Sequence, residues 1–111
     1  MDRGRLVLVT ALGALGLLAT GLSVAEPGSS SLASGRDKYV QCASCHGSDG
    51  RSAVMPQYPK IGGQNLEYLV NALKAYRDGR RQGTYASIMS AAAKPLSDTD
   101  IADLAAYVAS L

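Results

Sequence analysis

Apolar positions recur at helical spacing in two stretches of this chain. Leu66, Leu69, Val70 and Leu73 form a stripe that Tyr76 extends, with Asn65 before it and Gly79 after it, which predicts a helix between those two residues. Ile101, Leu104, Ala105 and Val108 make a second apolar face, predicting a final helix to about Ser110. Ser97 stands at its N-cap with Asp100 at the third helical position, close to a capping box although that box prefers Glu or Gln. An earlier helix is expected from about Ser34 to Cys42, with Ser34 as its cap. The segment from Arg80 to Lys94 shows no clean period, and residues 51–63, with Pro56, Pro59, Gly62 and Gly63, read as a wrapping loop. No stretch alternates as a strand does. Three main helices and long loops make the expected fold class all-α.

The first 25 residues have a different character. Asp2-Arg3-Gly4-Arg5 is a short basic start, Leu6 to Ala25 is uncharged, and Ser23-Val24-Ala25 puts small residues where a signal peptidase reads, so cleavage is expected after Ala25. Retention of residues 6–25 as a membrane anchor is the competing reading, because twenty uncharged residues can cross a bilayer core. Either outcome puts the folded part outside the cytoplasmic membrane, in the periplasm. Residues 26–34 read as a flexible leader and residues 35–111 as one small domain.

Charge excludes one class of partner. From residue 26 onward nine basic residues face eight acidic ones, a net charge of +1 that does not suit a nucleic-acid binder. Lys60, Lys74, Arg77, Arg80, Arg81 and Lys94 could form a docking surface for an acidic protein, though such charges are more often a solvated face. A domain this small buries a modest core, and with no Phe and no Trp it would gain from a large apolar body for its helices to pack around.

Cys42-Ala43-Ser44-Cys45-His46 supplies that body. C-x-x-C-H is the attachment signature of c-type haem: two thiols add across the porphyrin vinyl groups as thioethers, and the adjoining imidazole binds iron. A zinc site would need four ligands, and the chain holds two cysteines and one histidine; a thiol–disulfide pair is the remote remainder. The second axial position suits a soft thioether, since no other histidine exists. Met55 lies nine residues past His46 on the proline-rich loop, while Met89 lies 43 residues on, beyond a helix that can carry the chain across. Met89 is the better candidate; Met55, a lysine or an open position remain alternatives, and either methionine could simply fill a core gap. A carbonyl on loop 51–63 is the natural acceptor for the second imidazole N–H of His46, or the prolines there merely stiffen the loop.

These motifs resemble the small bacterial class I cytochromes c. Gly35-x-x-x-Tyr39-x-x-Cys42-x-x-Cys45-His46-Gly47, Pro59-Lys60-Ile61-Gly62-Gly63-Gln64, Leu96-Ser97-Asp98-x-Asp100-Ile101 and Leu104-Ala105-x-Tyr107 carry the likeness over residues 35–111. It is greatest to periplasmic carriers with one haem and to single domains of the tandem two-haem kind. The resemblance implies Cys42 and Cys45 as covalent attachment points for one haem c, and His46 and Met89 as axial ligands. It also implies Pro59 as the carbonyl behind His46, and Gly35 and Tyr107 as the crossing of first and last helices. Relatives often have two methionines between the positions of Tyr85 and Pro95, whereas this chain has one.

The implied function is an exported monohaem cytochrome that shuttles single electrons between redox proteins. Both axial positions would be filled, leaving no place for substrate, so catalysis is not expected. The alternatives are a haem-bearing subunit of an exported dehydrogenase complex and, more remotely, a gas- or peroxide-binding haem protein.

Overall fold

The computed structural model describes residues 10–18, 20–21 and 28–111. The expected cleavage after Ala25 lies outside these residues. Four helices follow in order: α1 (Ser29–His46), α2 (Leu66–Arg77), α3 (Ala86–Ala93) and α4 (Asp98–Ser110). No strand occurs among the described residues, and none of their helices is long and apolar enough to cross a membrane.

Local chemistry accounts for the ends of α2 and α4. Asn65 caps α2, its side-chain oxygen accepting from the Tyr68 N–H at 2.9 Å. The box at α4 forms in full with aspartate: Ser97 Oγ accepts from the Asp100 N–H, and the Asp100 carboxylate accepts from the Ser97 N–H, each at 3.0 Å. Arg77, in the last turn of α2, ties these two helices together by donating to Asp98 at 2.7 Å and to the Leu96 carbonyl at 3.3 Å.

Two expectations require correction. Helix α1 starts at Ser29, not Ser34: Gly28 stands at its N-cap without a side-chain hydrogen bond, so residues 29–34 of the expected leader are helical. It also runs on through Cys42 to His46. The unperiodic segment contains α3, a fourth and shorter helix whose buried residue is Ala93.

The core gathers where α1 crosses α4. Tyr39, Leu69, Leu104, Ala105 and Val108 form one buried cluster, with Ile101 fully buried nearby. Gly35 makes the crossing close: a Cβ on it would stand 2.8 Å from the Asp103 carbonyl carbon and 2.8 Å from Tyr107 Cβ. The Tyr39 and Tyr107 rings pack at 5.4 Å beside it. Helix α3 is held differently, since among the helices it packs on α2 alone.

Candidate functional site

A cavity of about 520 Å³ opens between α1, loop 51–63, α2 and α3. That is within the size range of small-molecule and cofactor sites. Cys42, Cys45 and His46 line it from the last turn of α1; the three- and four-residue spacings put all three on one helical face. Met89 lines it from α3. Met55 is 38% exposed on loop 51–63 and is not among the lining residues.

His46 is the buried polar side chain of the domain. Its Nδ1 lies 2.9 Å from the carbonyl oxygen of Pro59. A carbonyl can only accept, so Nδ1 carries the proton and the Nε2 lone pair is left for another partner. The chain beyond His46 turns away at Gly47, whose φ of 84° and approach to the Ser52 carbonyl exclude a side chain. Loop 47–52 is then fixed by its own hydrogen bonds. Asp49 accepts from the N–H groups of Arg51 and Ser52, and the Arg51 bond, foremost, holds its carboxyl below the ordinary range.

The hydroxyl of Tyr39 is a participant that the sequence did not single out. Buried on α1, it donates to the Gly47 carbonyl at 2.7 Å, pinning the residue that follows the histidine. Burial foremost, with Cys42 and Tyr107 adding, pushes its pKa up to about 12. Tyr58 was also missed: its ring packs at 6.3 Å from the His46 imidazole and edge-on at 6.0 Å to Tyr85. Their positions, one before Pro59 and four before Met89, were the available signal.

Cys42 and Cys45 are both unbridged and half-buried, and burial foremost pushes the Cys42 thiol up. The arrangement fits a flat apolar group that takes two sulfurs and a nitrogen from one helix. A structural zinc site would need a fourth protein ligand, and among the described residues no carboxylate joins Cys42, Cys45 and His46 to complete one.

Comparison with known proteins agrees. Residues 32–111 match the family described as "Cytochrome c". The chain belongs to the cytochrome c family. It is 50% identical over 78 residues to "Cytochrome c-554(548)" of Halomonas halodenitrificans, covering 70% of this chain and 93% of that one. It is 40% identical over 94 residues to "Cytochrome c4" of Pseudomonas aeruginosa, 85% of this chain and 45% of the relative. A "Thiosulfate dehydrogenase electron acceptor" of Thiomonas intermedia is 32% identical over 107 residues, 96% of this chain and 44% of that one. The chain thus spans about half the length of the longer relatives and nearly all of the shorter. It is an all-α electron-transfer haem protein with a covalently bound haem c.

The six expected docking cations do not form one surface: Lys74 is half-buried, and Lys94 is exposed away from the cavity. Arg77 and Arg80 are engaged with Asp78, and Arg77 with Asp98 as well. Lys60 and Arg81 are exposed and line the cavity, Arg81 lying 4.4 Å above the Tyr76 ring.

Proposed function

We propose that Cys42 and Cys45 carry the haem as thioethers, that His46 Nε2 and Met89 Sδ are its axial ligands, and that the protein passes single electrons between larger redox proteins in the periplasm. When bound, the haem would supply a one-electron Fe(III)/Fe(II) couple, and ligation by His46 and Met89 would raise its potential. The chain's part is to hold and tune. Pro59 accepts from Nδ1, which fixes the imidazole plane and strengthens Nε2 as a donor. Tyr39 and Gly47 hold the end of α1, and with it the two cysteines and His46, in place. The observation that carries the reading is a single cavity lined by the attachment motif on one element and by Met89 on another.

Maturation of the chain with a haem-attachment system tests it. The product should gain the mass of one haem, and its oxidised form should show a thioether-to-ferric-iron charge-transfer band. That band should vanish in Met89→Ala and persist in Met55→Ala; its survival in Met89→Ala would remove Met89 as ligand.

A second reading is that the haem accepts electrons directly from an exported dehydrogenase. The resemblance to two proteins named thiosulfate dehydrogenase electron acceptors favours it. In either case Lys60 and Arg81 would meet an acidic partner, and transfer rates should fall steeply with ionic strength.

A further inference from the structure

We infer that Tyr85, through its ring contact with Tyr58, is a positioning residue that restrains release of Met89. The inference rests on Met89 being the sixth ligand. Helix α3 has little to hold it: it packs on α2 alone among the helices, and Ala93 is its one buried residue. Its first residue is Ala86, so Tyr85 at the N-cap is one turn ahead of Met89. The Tyr85 ring meets the Tyr58 ring edge-on, with centroids 6.0 Å apart and planes at 89°. That is a favoured geometry for an aromatic pair. Tyr58 is itself fixed. It packs against the buried imidazole of His46, and its neighbour Pro59 accepts the His46 Nδ1–H.

The ring pair therefore closes a loop through the site. Movement of α3 that withdraws Met89 from the cavity must also separate Tyr85 from Tyr58. Separation exposes the face of one ring and the edge of the other, and loses the edge-to-face contact. Tyr85 is already 39% exposed, so its truncation removes this tie without emptying a core position.

Imidazole binding to the oxidised haem protein at fixed pH reads this directly. At saturating imidazole the exchange rate is limited by departure of Met89. An aromatic pair of ordinary strength predicts that Tyr85→Ala raises this limiting rate by about two- to tenfold. Tyr85→Phe, which keeps the ring and drops the hydroxyl, should stay near wild type. In a Tyr58→Ala background the Tyr85→Ala substitution should add little, because the partner is already gone. An unchanged rate in Tyr85→Ala, or full multiplication of the two effects, would overturn the inference. Failure of the ligand assignment looks different: the charge-transfer band would be absent from the wild-type protein or would survive in Met89→Ala.

Discussion

Gly35→Ala puts the α1/α4 crossing to a test of sign. In an exposed helix interior this exchange stabilises, by about 0.5–1 kcal/mol, because glycine loses more backbone entropy on folding. Here the added methyl would stand 2.8 Å from both the Asp103 carbonyl carbon and Tyr107 Cβ, and closer still to the Asp103 carbonyl oxygen. Carbon atoms at their best separation lie roughly 3.5–4.0 Å apart, so the helices must part by about 1 Å. The obstacle is backbone, which cannot rotate aside as a side chain can. Parting the helices thins the contacts among Tyr39, Leu104, Val108 and Tyr107 on either side of the crossing. Overpacking of this kind costs about 1–3 kcal/mol, with backbone clashes at the upper end.

The steric cost exceeds the entropic gain, leaving a net loss of about 2 kcal/mol. For a domain of this size that corresponds to a fall in Tm of roughly 8–16 °C. Thermal unfolding of the haem-bearing protein, followed by far-UV circular dichroism, gives the number. A Gly35→Ala protein as stable as wild type, or more stable, would show that the two helices do not approach as closely as argued.

Tyr39→Phe keeps the ring and removes the buried hydroxyl bonded to the Gly47 carbonyl, and should cost about 0.5–1.5 kcal/mol in denaturant unfolding. Because burial raises the Tyr39 pKa to about 12, its contribution is complete below about pH 10 and is lost as pH rises through the folded value. Phenolate absorbance should show a titration near pH 12 that is absent from Tyr39→Phe. Arg77→Ala should lower stability most at neutral pH. Arg77 hydrogen-bonds Asp78 and Asp98 and holds both carboxyls below the usual range, a stabilisation present above about pH 4 and lost as pH falls further. The gap between variant and wild type should therefore narrow in acid, and a gap constant from neutral pH to pH 2 would contradict the assignment. Backbone amides of α3 should exchange with solvent sooner than those of α1 and α4, since α3 packs on one helix only. Slower exchange in α3 than in α4 would refute that ranking.

Legibility of the fold followed the physics of each segment. The C-x-x-C-H motif is readable because thioether attachment and iron ligation from one helical turn demand that spacing. Helices α2 and α4 are readable because each buries one side against the core and each begins at a side-chain cap. The start of α1 is not. Ser29-Ser30-Ser31-Leu32-Ala33-Ser34 has no apolar period and no capping side chain, and Gly35 looks like a breaker until the closeness of α4 explains it. Helix α3 escaped for a related reason. Ala86-Ser87-Ile88-Met89-Ser90-Ala91-Ala92-Ala93 turns one side to α2 and Met89 to a cavity, so no apolar stripe runs along it. The Pro59 acceptor was half-readable: composition placed a rigid carbonyl on loop 51–63, and the resemblance chose the residue.

The same contrast runs through the site. The attachment side belongs to the most tightly packed part of the molecule. There α1 is locked to α4 at Gly35, its end is pinned by Tyr39 and Gly47, and the imidazole is oriented by Pro59. The Met89 side rests on a two-turn helix with one helical neighbour and a ring contact at its cap. Rigidity on the first side keeps the imidazole aligned without reorganisation, which a one-electron couple needs for rapid transfer. With Met89 as the proposed second ligand, weak packing on the second side would make its thioether the replaceable one. Any change in what the iron binds, through heat, denaturant or a competing ligand, should therefore begin at α3 and leave the α1/α4 pair intact. The division follows from chain order: the cysteines and His46 share one helix with a core residue, Tyr39, whereas Met89 arrives 43 residues later on a segment that buries a single alanine.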